Sequence, residues 1–575
     1  MAIEINGEAL KAASSLQLKK WCEEIRAEIC ETVAVCGGHL SSNLGAVELT
    51  VALHKTFDFP HDKIVFDVGH QCYTHKLLSG RADRFHTLRR EGGLSGFPKR
   101  TESEYDCYDT GHAGTALSAA LGIAKARDLK GETFSVVALI GDGSFNNGLI
   151  YEALNSLKIL HTSVLILLND NGMSISPTVG GVHEVLDEIK TEGSFCRNDI
   201  ALFEQFGLQY MGVYDGNDVE DMCDALKIAK EKLKSSSVLL HVSTQKGRGH
   251  PFCESAPDRT HGVSPKREDD RVEYASVLGE ELTALAEDDR RIVAVTAAMT
   301  DSLGLRGFFE RFPERAFDVG ICEEHASVLC AAMATEGMKP YYAIYSTFLQ
   351  RAFDELIHDV CGQNLPVTLC IDRSGITGAD GETHQGVFDL SYLSLIPNLT
   401  VAIPKDEDEF RGMLRMSKDY NAPLAIRYPR AGKKGKGCVL PIEIGKFELI
   451  HSSISDIAII AAGEIPLAAA ENLMRRAQKE GFDFTIVNAR FLKPLDEALL
   501  LSLPQKYVVT IEDNVAIGGL GDAIDRFYLN RGKVIRNFAY RDEFIPHGEA
   551  GALAERFGVE KEEIFRYLKE CYARG

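Results

Sequence analysis

Two near-continuous apolar runs, FSVVALIGD at 134–142 and SVLILLND at 163–170, restrict this chain more than any other feature. β-Branched and aliphatic residues without polar alternation suit strands buried on both faces of a parallel sheet. Between them Leu149, Ile150, Ala153, Leu154, Leu157 and Leu160 recur at helical spacing, so the segment predicts a right-handed strand-helix-strand crossover. Similar runs at 236–243, 291–296, 341–346, 366–371, 399–403, 456–462, 483–488 and 506–512 each precede a helical pattern. The fold class is therefore α/β throughout.

With 575 residues the chain exceeds one hydrophobic core, and polar stretches at 250–272 and 431–441 interrupt its periodicity. The expected division is 1–265, 266–440 and 441–575, each a doubly wound, mostly parallel sheet. A formal net charge of −21 argues against a nucleic acid partner, so any phosphate must be held by a few placed cations and backbone N–H groups. No apolar run approaches the roughly 18 residues of a membrane helix, and the N-terminus has no basic stretch followed by an apolar one, so a cytoplasmic protein without a membrane partner is expected. Fourteen Cys without a Cys-x-x-Cys pair read as buried free thiols of a reducing compartment.

Ligands of open α/β sheets bind beyond the carboxyl ends of strands. Asp142 and Asn171 stand at two such ends, one strand-helix-strand unit apart. The glycines beside Asp142 admit a bulky anion, and the helix that follows directs N–H groups toward it. Asp142, the Asn171 amide oxygen and the Met173 carbonyl would hold a hard divalent cation, Mg²⁺ or Mn²⁺, with diphosphate oxygens completing its shell. Gly-Asp-Gly alone is usually a turn; combined with this spacing and both strands, it resembles the fingerprint of thiamine diphosphate enzymes.

That resemblance implies a second domain with a carboxylate for the cofactor's aminopyrimidine. In FDVGICEEHASVLCAAMATEG (317–337) Glu323 fits, between a buried strand and an Ala-rich helix, with an apolar pocket expected to raise its pKa. Phe348 would stack on the pyrimidine.

Longer stretches resemble the 1-deoxy-D-xylulose-5-phosphate synthase family of transketolase-like enzymes: GGHLSSNLGAVELTVALH (37–54), FDVGHQCYTHKLLSGR (66–81), REGGLSGFPKRTESEYD (90–106), YSTFLQRAFDELIHDV (345–360) and IDRSGITGADGETHQGVFDLSYL (371–393). The resemblance runs through RYPRAG (427–432) to VVTIEDNVAIGGLGDAI (508–524). It implies condensation of pyruvate with D-glyceraldehyde 3-phosphate to 1-deoxy-D-xylulose 5-phosphate and carbon dioxide, the first step of the non-mevalonate isoprenoid pathway, by a homodimer. It assigns His39, His70 and His384 to proton transfer, with His70 also on the cofactor, and Arg373 and Arg430 to the acceptor phosphate, near Tyr345 and Asp380. Gly111, His112, Ala113, Gly143 and Ser144 match diphosphate-contacting loops, and Asn171 and His250 also match cofactor positions.

The chain departs from that pattern in four places. His250 stands for a Tyr, Glu324 for a Gln beside Glu323, Ala113 for a Ser, and the segment after Ser176 is shortened. Glu324 is expected to raise the Glu323 pKa further. The rival readings are transketolase-type ketol transfer between sugar phosphates and an inactive regulatory or binding paralogue. GGLGD at 518–522 reads as a turn, without the acidic residue a dinucleotide site needs.

Overall fold

The computed structural model describes residues 5–192, 197–263 and 271–574. The chain forms two compact units, Met1–Arg267 with Gly320–Cys322, and Glu268–Val319 with Glu323–Gly575. The expected break at 265/266 lies outside the described residues, as does part of the shortened segment after Ser176.

Strands β1 (Lys63–Phe66), β2 (Val136–Gly141), β3 (Leu165–Asp170), β4 (Gln209–Asp215) and β5 (Val238–Ser243) build the first unit. They form one wholly parallel sheet in the order β1-β2-β3-β5-β4. β3 is buried along its whole length and β2 along all but its last residue, which is why both read as continuous apolar runs. The helix Gly148–Leu160 joining them buries Ile150, Ala153, Leu154 and Leu157 on the sheet side.

The second unit carries β6 (Val272–Glu273), β7 (Ile292–Thr296), β8 (Ala316–Asp318), β9 (Lys339–Tyr345), β10 (Thr368–Asp372), β11 (Thr400–Ala402), β12 (Leu424–Arg427), β13 (Ala431–Gly432), β14 (Glu448–His451), β15 (Ile457–Ala461), β16 (Thr485–Asn488), β17 (Phe491–Lys493), β18 (Tyr507–Val515) and β19 (Val534–Tyr540). Two sheets dominate it, β17-β11-β12-β10-β9-β7-β8 and β14-β16-β15-β18-β19, each parallel except for an antiparallel edge strand, β17 or β14. β17 comes from the last third of the chain yet extends the middle sheet, pairing Lys493 with Val401. Arg427, 1% exposed at the end of β12, bonds Asp389 at 2.9 Å and the Asp513 side chain of β18. A guanidinium so deeply buried is stable only when paired on several sides. It therefore locks the two sheets into one unit.

Thirteen described cysteines are free, most of them buried or half-buried; Cys438 is exposed, against the expectation of burial. Among the described residues no helix is long and apolar enough to cross a membrane.

Candidate active site

In the first unit, the register Gly141↔Asn169 brings the carboxyl ends of β2 and β3 level, so Asp142 and Asn171 leave neighbouring strands side by side. Asn171 N donates to Asp142 Oδ1 at 3.3 Å, and Thr178 Oγ1 donates to Asp142 Oδ2 at 2.6 Å. The Asn171 side-chain oxygen accepts from Met173 N at 3.1 Å. Asp142 is only 1% exposed, and burial first, then the Asp170 charge, pushes its pKa up to about 6. A sunken carboxylate beside an amide oxygen, at the carboxyl ends of two neighbouring strands, is a donor set suited to a hard cation. These residues fit a metal-diphosphate group. Among the described residues no cluster of three or more His, Cys, Asp or Glu holds a metal unaided, so external oxygens would have to complete the shell.

Gly143 has a second reason to be glycine beyond an approaching anion. A Cβ there would stand 2.8 Å from Ser174 Cβ, so its absence lets the turn after β3 close over the turn after β2. Behind Asn171, Asp170 is held below the usual carboxylate range despite burial, because His241 at 2.9 Å and Lys190 at 3.0 Å bond it. Tyr210 O–H in turn lies 2.8 Å from His241 Nδ1.

Gly111, His112 and Ala113 precede a helix, Ala116–Lys130, whose start is held by Asp67: Gly114 N and Ala116 N donate to that carboxylate at 2.9–3.1 Å. Gly114 adopts φ +90°, and a Cβ would meet Asn147 Oδ1 at 2.3 Å. Ser144 lies buried within the helical turn Asp142–Phe145.

His39 and His70 meet with ring centroids 5.5 Å apart, and His261 completes a triangle at 5.5 and 5.4 Å. Asn43 fixes the pair, its Nδ2 donating to His39 O at 2.6 Å and to His70 O at 2.7 Å, while its Oδ1 accepts from Tyr73 N at 2.9 Å. Sequence reasoning missed both Asn43 and His261. Asn43 sits inside the quoted GGHLSSN stretch; His261 was hidden in the polar segment 250–272, whose residues Pro257 and Thr260 bond Ser41 and so belong to the first unit. Burial, then Lys246, His70 and His39, press the His261 pKa well below its ordinary value. Lys246 was also missed: its ammonium is buried, donates to Ser174 O, and is pushed down to about 8 by burial against the opposing pull of Asp142 and Asp258. His250 caps the short helix Pro251–Ser255, its Nδ1 accepting from Cys253 N at 3.3 Å.

In the second unit, Glu323 opens the helix Glu323–Thr335 and is 3% exposed. Two expectations fail here. The strand before it, β8, is a half-buried edge strand of three residues, and the pocket is not simply apolar: Arg351 Nη1 lies 3.1 and 3.3 Å from the two Glu323 oxygens. The Glu324 charge is felt at Glu355, whose pKa rises through burial first and Glu324 next.

Four other expected residues form one stack. The Arg373 guanidinium lies 4.2 Å over the Tyr345 ring, Tyr345 stacks on Phe348 at 5.4 Å, and Phe348 meets His384 edge-on at 5.6 Å. β9 and β10 are adjacent and end level, Asp372 opposite Tyr345, which is why residues distant in sequence assemble. Asp372 pairs with Arg373 at 2.9 Å. Asp380 lies in the same loop as His384, directly before the helical turn Gly381–Thr383. Arg430 is exposed and lies 3.4 Å from Glu273. In the GGLGD turn the start of the helix Leu520–Tyr528 is occupied by Glu512, which accepts from Leu520 N at 2.7 Å and Gly521 N at 2.8 Å. A phosphate has no place there.

Known proteins give the class first. Residues 270–433 match the pyrimidine-binding domain of transketolase and residues 445–564 its C-terminal domain, so the chain is a transketolase-like α/β protein. Residues 3–201 and 194–244 match the family model described as 1-deoxy-D-xylulose-5-phosphate synthase. A curated protein of that name from Clostridium perfringens strain SM101 is 42% identical, covering 98% of this chain and 98% of its own length. Another, from Dictyoglomus turgidum, is 45% identical over 96% of both. The chain belongs to the 1-deoxy-D-xylulose-5-phosphate synthase family.

Proposed function

We propose that this chain is a thiamine diphosphate-dependent transferase that joins pyruvate to D-glyceraldehyde 3-phosphate, giving 1-deoxy-D-xylulose 5-phosphate and carbon dioxide. Full-length identity of 42% to 45% with relatives of that name is the observation that carries the reading. The role is entry to the non-mevalonate isoprenoid pathway, in the cytoplasm, as a homodimer, from domains spanning 1–265, 266–440 and 441–575.

Asp142, Asn171 and the Met173 carbonyl would hold Mg²⁺ or Mn²⁺ on the diphosphate, with Gly111, His112, Ala113, Gly143 and Ser144 around it. When bound, thiamine diphosphate supplies the electron sink for loss of carbon dioxide. Glu323 would hydrogen-bond the aminopyrimidine and Phe348 would stack on it. His39 and His70, oriented through Asn43, and His384 would move protons to and from the reacting oxygens near neutral pH. Arg373 is already ordered against Asp372 and Tyr345, and it would bind the acceptor phosphate with Arg430. Placed guanidinium groups let a protein of net charge −21 hold an anionic sugar phosphate.

Product analysis tests the reading. Purified protein with pyruvate, glyceraldehyde 3-phosphate, thiamine diphosphate and Mg²⁺ is expected to yield 1-deoxyxylulose 5-phosphate and carbon dioxide in equal amounts. Ketol transfer between sugar phosphates without carbon dioxide would place it with transketolase chemistry instead, and no turnover with either set would make it a silent paralogue.

A further inference from the structure

The loop that carries Asp380 and His384 hangs from a closed neck. Gly375 and Gly386 exchange both backbone hydrogen bonds, Gly375 N to Gly386 O at 2.7 Å and Gly386 N to Gly375 O at 2.8 Å. Inside the neck sits Gln385, 1% exposed, with its amide saturated. Its Oε1 accepts from Thr377 N at 2.7 Å and Gly378 N at 3.0 Å. Its Nε2 donates to Gly378 O at 3.2 Å and to Pro546 O at 3.1 Å. Backbone N–H groups only donate and carbonyls only accept, so the orientation of this amide is fixed by its partners.

Pro546 belongs to the C-terminal stretch of the chain, which meets the loop at more than this one atom. Gly548 N donates to Gly378 O at 3.3 Å. Gly378 adopts φ +96°, and a Cβ would lie 2.8 Å from Gly548 O; one on Gly381 would lie 3.3 Å from His547 N. Ile376 and Val387, on either arm of the loop, pack with Ile545 in the core of the last sheet. The floor of the loop is therefore Ile545–Gly548, and its position follows the last sheet of the fold.

We propose that Gln385 is a positioning residue for the acceptor aldehyde, holding Asp380 and His384 in register by bolting their loop to Ile545–Gly548. The C-terminal sheet, which carries none of the assigned site residues, thereby sets acceptor affinity. This rests on the proposed function, with Asp380 near the acceptor and His384 moving protons at the reacting oxygens.

Gln385→Glu separates the two halves of the contact. A carboxylate still accepts from Thr377 N and Gly378 N, but it cannot donate to Gly378 O or Pro546 O and opposes them with negative charge. The expected result is a KM for glyceraldehyde 3-phosphate at least tenfold higher, with the KM for pyruvate and the affinity for thiamine diphosphate within twofold of the parent. Amide hydrogen exchange over residues 377–386 should accelerate while exchange in β18 does not. Gly378→Ala, which strains a φ of +96° and pushes the loop off Gly548 while keeping the Gln385 side chain itself, should shift the same KM in the same direction and serves if the first variant does not fold. An acceptor KM unchanged in a folded variant overturns the inference, as does an equal rise in both substrate KM values. A parent protein inactive with this substrate pair would instead overturn the proposed function, and the acceptor role with it.

Discussion

Glu323 carries its carboxylate into a site 3% exposed with a guanidinium as nearest charge. Removing one member of a buried pair leaves the other uncompensated, so the two residues should behave differently when changed. Glu323→Ala is expected to keep Mg²⁺-dependent cofactor binding, read by circular dichroism titration, while turnover falls by about 10²–10⁴-fold, the usual weight of a positioned acid–base group. An undiminished rate would remove Glu323 from the mechanism. Part of the placement at this scale was legible: Asp142, Asn171, Tyr345, Phe348, Arg373 and His384 stand at strand ends or in loops that apolar runs announce, whereas Glu323 follows a half-buried edge strand of three residues. Arg351 was not, because its approach to Glu323 is a tertiary contact across 28 residues of chain. Nor was His261, whose segment is polar enough to read as a linker.

At the level of elements, short connections do the positioning. Asn43 ties the carbonyls of His39 and His70 together, and Asn43→Ala should lower turnover more than cofactor affinity, with a stability loss of about 1–3 kcal/mol from the two partly buried carbonyls left without that donor. Equal losses in both would show that the clamp serves only folding. The helix Leu520–Tyr528 offers a test by pH. Burial pushes the Glu512 pKa up to about 8, so the folded chain keeps a proton that the unfolded chain releases above the ordinary carboxyl range. Its contribution to stability is full at low pH and lost as pH rises through about 8. Glu512→Gln, neutral throughout, should therefore gain in melting temperature relative to the parent between pH 5 and pH 9; parallel curves would contradict this. The ten strands foreseen from apolar runs are all present, since burial on both faces writes itself into sequence. β1 and β4 passed unnoticed because KIVF opens on a lysine and QYMGVYD is mostly half-buried, so neither forms a continuous apolar run.

Across the whole molecule, the sheets were foreseen as three, and the structure adds how the last two are joined: β17 crosses into the middle sheet and Arg427 bridges Asp389 and Asp513. No periodicity in sequence announces a strand that joins another stretch's sheet. Sedimentation should give twice the mass of one chain if the homodimer expected from the family forms. Beneath all of this lies the proposal that Asp142 and Asn171 at neighbouring strand ends hold the cation that anchors the diphosphate. Titrating thiamine diphosphate into the parent protein and into Asp142→Asn, with and without Mg²⁺, measures it directly. Binding to the parent should require the metal, and the variant should bind at least tenfold more weakly at the same Mg²⁺ concentration. Equal affinity in both proteins, or tight binding to the parent after complete removal of divalent cations, would contradict the account.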